Sequence, residues 1–139
     1  MKRVFLLIMT FFITGFICAQ TSAIDTARLK AYVGKEGVDT MTADDFLNYG
    51  KIELNDPKLQ IRSYTLTLLG ISCTECEMSY EQFNSNMLKR DWISKTLNDM
   101  NVKLLQATIG DLRLFDSAGH DITSKKEFTF ILKYQTKNP

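Results

Sequence analysis

Cys73-Thr74-Glu75-Cys76 is the one cluster in this chain whose residue types and spacing could support chemistry. Two thiols at that spacing can close a disulfide, exchange disulfides with a substrate, or supply half of a zinc site. As a staple, so short a ring contributes roughly 2 kcal/mol on the chain-entropy argument, less any native-state strain. A thioredoxin-like redox pair is the sharper alternative, because the alternating stretch Tyr64–Leu69 reads as a strand immediately upstream. Three features weigh against it. Only 63 residues follow Cys76, with a single helical segment among them. The prolines are Pro57 and Pro139, neither placed to face the pair from a downstream loop. Glu75 beside the thiols raises a thiolate pKa when catalysis would need it lowered. A zinc site needs two further ligands, which His120 alone cannot supply. The expectation is a structural disulfide between Cys73 and Cys76, with no metal site.

The other reactive side chains stand apart from one another. His120, the only histidine, lies in Gly119-His120-Asp121 and reads as a turn residue. Asp44 and Asp45 place negative charge in the first turn of a short helix, where the helix dipole favours it. Asp111, Asp116 and Asp121 are spaced like a loose acidic loop but lack the intervening ligands of a calcium-binding loop. There is no G-x-S-x-G, no H-E-x-x-H and no phosphate-cradling glycine loop. No catalytic residue, cofactor or enzymatic activity is expected.

The N-terminus indicates where these groups must work. Lys2-Arg3 precede an apolar run from Val4 to Cys18, and Ala19-Gln20 follows. Two cations, a run shorter than the roughly 20 residues of a membrane-spanning helix and a small residue before a polar switch describe a secretory signal peptide. Residues 1–19 are therefore read as a signal peptide cleaved between Ala19 and Gln20, which sends the protein to the periplasm or outside the cell. The alternatives are a retained anchor, which lacks a charged stop-transfer flank, and a lipoprotein starting at Cys18. The latter normally wants a small residue before the cysteine, where Ile17 stands. Cleavage removes Lys2, Arg3 and Cys18, leaving 15 basic residues against 16 acidic ones and one even pair of cysteines. So balanced a charge gives no pull towards nucleic acid or anionic lipid. Lys89-Arg90 and Lys125-Lys126 read as solvated surface, and no membrane insertion is expected after cleavage.

The elements that must position the cysteines read mainly as strands. Tyr64, Leu66 and Leu68 alternate with Ser63, Thr65 and Thr67, while Leu59 and Ile61 take the opposite phase, which implies a bulge near Arg62. Phe128, Phe130, Leu132 and Tyr134 alternate in the same way. Val102–Ile109 and Leu112–Phe115 read as two strands divided by Gly110-Asp111, and Asp116–Gly119 as a turn. Lys51–Leu54 and Leu29–Val33 are short strand candidates. Thr42 can cap a helical turn over Ala43–Tyr49, with Asp45 three residues on and Gly50 as its stop. Lys89–Asn98 reads as a longer helix, with Trp92, Ile93, Leu97 and Met100 at helical spacing and Trp92 as its packing anchor. Strands clustered around one crossover helix predict a mainly β fold, an antiparallel, Ig-like β-sandwich. Residues 20–34 read as a lead-in and 35–139 as one domain.

Several segments recur in an order that resembles a known family. Ala31-Tyr32-Val33-Gly34-Lys35-Glu36-Gly37 is followed by Met41-Thr42-Ala43-Asp44-Asp45-Phe46-Leu47 and then by Ile52-Glu53-Leu54. Ser85-Asn86-Met87-Leu88, a helix, Val102-Lys103-Leu104-Leu105, a Gly-Asp turn and Phe128-Thr129-Phe130 continue it. This order, from about Ala31 to Tyr134, resembles the C-terminal periplasmic domain of the GldM family, gliding-motility and type IX secretion proteins of the Bacteroidota. The resemblance implies a β-sandwich that contacts other envelope proteins. It transfers no functional residue, because the shared pattern marks core and turns. The family carries a membrane helix and several periplasmic domains, whereas a single domain follows the leader here. The expectation is a non-enzymatic protein-interaction module of the cell envelope, working through sheet edges or the loop around the cysteines. The alternative is a periplasmic thiol-disulfide oxidoreductase acting through Cys73 and Cys76.

Overall fold

Alternating apolar residues in two twelve-residue strands set the architecture, and the rest of the chain is arranged around them. The computed structural model describes residues 26–135; the expected signal peptide and its cleavage site lie outside them. After a 3-10 turn at Thr26–Arg28 come β1 (Ala31–Tyr32), β2 (Thr40–Thr42), α1 (Ala43–Tyr49), β3 (Glu53–Leu54) and β4 (Gln60–Ile71). The second half runs β5 (Met78–Phe83), α2 (Arg90–Met100), β6 (Leu104–Phe115), β7 (Asp121–Ser124) and β8 (Phe128–Lys133). The protein is mainly β. Its six-stranded sheet has the order β2-β8-β6-β4-β5, with β7 beside the second half of β6, and β1 and β3 form a separate ribbon. All pairings are antiparallel except that of β2 with β8.

One face of the sheet is buried and the other is open. Tyr64, Leu66 and Leu68 of β4, Leu105, Ala107 and Ile109 of β6, and Phe128, Phe130 and Leu132 of β8 share a single core. Both helices cover this face. Phe46 of α1 lies 6.3 Å from Phe130 between ring centroids, and Trp92 of α2 meets Phe83 edge-on at 5.8 Å. Trp92 packs against the core only partly buried, and the residues that α2 buries fully are Ile93 and Leu97. Leu29, Ala31 and Val33, from the segment read as a lead-in, are buried in the same core.

Local chemistry explains the helix boundaries. Thr42 caps α1 by accepting the Asp45 N–H at 3.0 Å, and its hydroxyl donates to the Asp45 carboxylate at 2.7 Å. Gly50 ends the helix at φ 69°, a left-handed conformation that costs glycine little. α2 starts at Arg90 and ends at Met100, stopped by Asn101 at φ 47°.

The division at Gly110-Asp111 is corrected by the structure: Leu104–Phe115 is one strand. Asp111 sits at φ 48° and adds a residue to β6, so the chain bulges without turning back. The Thr65 hydroxyl donates to its carboxylate at 3.1 Å. The bulge near Arg62 is present on β4, where the pairing shifts between Ile61 and Ser63. Three strands went unread in the sequence, β2, β5 and β7.

Candidate functional site

The two cysteines form the tip of the β4–β5 hairpin. Ser72, at φ 63°, turns the chain out of β4, and the Gly70 N–H donates to the Glu77 carbonyl at 3.0 Å to close the loop. The sulfurs of Cys73 and Cys76 lie 2.09 Å apart, a disulfide separation, with Cα atoms 5.3 Å apart. Gly70 makes room for the bridge: a Cβ there would stand 3.3 Å from the Cys73 sulfur and 3.4 Å from Val102. The bridge closes the loop between β4 and β5. No helix begins after Cys76 to stabilise a thiolate, and Glu75 and Glu77 flank the loop with negative charge.

The remaining candidates are not gathered around it. His120 stands at the β6–β7 turn, beside the β4–β6 end where Phe115 faces Gln60. The cysteines follow Ile71 at the other end of β4, twelve residues and roughly 35 Å of strand away. His120 Nδ1 pairs with Asp116 at 3.0 Å, and Asp116 also accepts the N–H groups of Ala118 and His120, each at 2.9 Å. The backbone N–H of His120, then its ring, then Ala118 hold the Asp116 carboxyl below its ordinary range. Asp121 pairs with Arg62 at 3.2 Å and Asp111 with Thr65, so the three aspartates are structural partners in separate places. Asp44 and Asp45 stay in the first turn of α1. Among the described residues no group of three or more His, Cys, Asp or Glu side chains could hold a metal ion.

A surface groove of about 450 Å³ runs between β3 and the start of β4. Both of its carboxylates are engaged: Glu53 is held by Lys51 at 2.8 Å, and Asp56 accepts the Lys58 N–H at 2.9 Å. Tyr64, whose phenol burial pushes well above its usual range, is an inward core residue that donates to the Met87 carbonyl at 3.1 Å. Neither place combines a nucleophile with a base.

What the hairpin does present is an edge. β5 ends the sheet, and no strand among the described residues pairs with its outer side. The Gly70–Glu77 bond fixes the phase of the ladder. Ser79, Glu81 and Phe83 turn their backbone groups to β4, while Met78, Tyr80 and Gln82 turn theirs outward. The side chains of the latter three lie on the open face, where Met78 is 63% and Tyr80 69% exposed. From the inner side Phe83 anchors the strand, stacked on Tyr64 at 4.9 Å. These edge residues were missed by sequence reasoning. Their signal was the period-two run Met78-Ser79-Tyr80-Glu81-Gln82-Phe83, in which only Phe83 is buried.

Comparison of the chain with protein-family models, with curated proteins and with solved structures returns no match. Among the described residues no helix is long and apolar enough to cross a membrane.

Proposed function

We propose that this protein is a non-enzymatic interaction module of the cell envelope and that β5 is the border through which it holds a partner. The observation that carries the reading is the free edge itself. Three residues of outward N–H and C=O groups run beside exposed Met78 and Tyr80, with Phe83 holding the strand rigidly in place. A partner strand added there gains backbone hydrogen bonds, and the side chains beside it supply apolar contact. The signal-peptide pattern of residues 1–19 and a disulfide, which persists in oxidising compartments, support an exported location. The order of turns and strands that resembles the GldM C-terminal domain supports an envelope partner. Kinship with an Ig-like sandwich rests on the one core that the β1–β3 ribbon shares with the large sheet.

The test is in-cell photo-crosslinking from position 80 of the full chain, with recovery of the adduct. The reading expects a protein adduct that Tyr80→Lys or Tyr80→Pro variants, probed from position 78, no longer form. It fails if no adduct forms while the purified protein turns over a disulfide substrate and loses that activity on Cys73→Ser. Reversible reduction of the pair at about −120 to −270 mV, the range of thiol-exchange proteins, would also favour the oxidoreductase.

A further inference from the structure

We infer that the strand β5 accepts is β5 of a second copy of this chain, joining two sheets across a two-fold axis. The inference rests on the reading of β5 as the binding edge and adds the identity of the occupant. Edge phase and charge both point to it. Only Met78, Tyr80 and Gln82 offer outward backbone groups, so an antiparallel pair of β5 strands must set even-numbered residues against even-numbered ones.

Three such registers overlap well, and charge separates them. Tyr80 opposite Gln82 brings Glu81 against Glu81 of the second copy. Tyr80 opposite Met78 brings Glu77 against Glu81. Tyr80 opposite Tyr80 alone avoids both, placing Glu81 across from Ser79 and Glu77 across from Phe83. On the open face the two tyrosines meet at the axis, with Met78 beside Gln82 on either hand. Met78, Tyr80 and Gln82 each donate one hydrogen bond and accept one, roughly six across the pair. Over its six residues β5 carries no proline, no lysine and no bulge, three of the devices that ordinarily keep edges apart; its one charged residue is Glu81, on the inner face.

Sedimentation equilibrium on the purified exported protein, over a range of concentrations, tests this. A monomer–dimer equilibrium is expected. Tyr80→Pro removes an N–H that faces away from β4, so the fold keeps its ladder while the dimer loses two bonds and weakens by about thirtyfold. Tyr80→Lys sets like charges opposite each other and abolishes the dimer at low salt, which keeps the test valid if the proline variant fails to fold. Register is read by oxidation. Tyr80→Cys crosslinks to itself across a hydrogen-bonded pair, whereas Gln82→Cys crosslinks only when mixed with Met78→Cys. A protein monomeric up to about 100 µM, or a dimer unmoved by both Tyr80 variants, overturns the inference. If the monomer still gives a Tyr80-dependent adduct with a different envelope protein, the occupant is wrong and the binding edge stands. If it gives none and exchanges disulfides, both readings fall.

Discussion

Besides the four-residue β7, which lies against β6 alone, the sheet has two borders, β2 and β5, and they differ in how they end. β2 is three residues long, and its last residue, Thr42, is already the cap of α1, so the chain leaves the sheet as soon as it has joined it. Asp39 extends the contact by one bond, accepting the Ile131 N–H at 2.6 Å. β5, at the other border, is six residues long and pairs with β4 without a register shift. A short edge that turns into a helix gives an incoming strand nothing to follow. A flat one with outward backbone groups and large exposed side chains is a template. One fold therefore closes β2 by local chemistry and leaves β5 unprotected, and this asymmetry supports β5 as the proposed binding edge.

The comparison can be broken most strongly at the anchor of the open border. Phe83→Ala removes a fully buried ring that contacts both Tyr64 and Trp92, and should cost about 3–5 kcal/mol in urea unfolding. Met41→Ala, at the rim of the core on the closed border, should cost about 2 kcal/mol. If the two losses were equal, β5 would not be held more firmly than β2. Replacing Cys73 and Cys76 together with Ser should lower stability by about 1–3 kcal/mol while far-UV circular dichroism stays unchanged. That result would separate a staple from a residue pair on which the fold depends. On the closed border, Thr42→Ala should cost about 1 kcal/mol through the lost cap and leave partner capture at β5 unaffected.

β8 gives no comparable handle. It pairs with β6 along its whole length and with β2 only over 131–133, so charging Thr129 would disturb its contact with Thr108 of β6 and not the border alone.

The smallest effect is a pH dependence at the far end of the sheet. The folded Asp116 carboxyl sits below its ordinary 3.8, so its contribution is complete above that value and disappears as pH falls through the lowered one. A carboxyl titration followed by NMR should place the midpoint below 3.8, and His120→Ala should move it part of the way back. A midpoint at the ordinary value would mean that this turn is not held as described.

What the sequence revealed follows from how local each signal is. Thr42, Asp45 and Gly50 specify α1 within nine residues, through a cap and a left-handed stop that need no distant partner. The change of phase between Ile61 and Tyr64 exposed the bulge because both sides of it are apolar and buried or half-buried. β5 was illegible for the opposite reason. At a border only one side chain, Phe83, reaches the core, so the alternation carries polarity and exposure instead of hydrophobic contrast. Gly110-Asp111 misled because the same left-handed preference serves a turn and a bulge, and only the partner strand decides between them. The proposed binding edge was hidden with β5: the cysteines were visible, but the strand that follows them was not.

The two bulges of the central pair have a consequence for how this gene can change length. The extra residue on β4 at Arg62 is offset by the extra residue on β6 near Asp111, and beyond them Ile61 again faces Leu114 in the register that Leu66 and Ile109 set. Either surplus alone would slide the far ends of the strands past each other by one position and misalign the pairs beyond it, Gln60 with Phe115 and Ile61 with Leu114. Codons 62 and 111 are thus coupled: loss of one alone should be deleterious, and loss of both should restore a straight ladder. Descendants of this chain can gain or shed residues at this seam only in twos, one from each side.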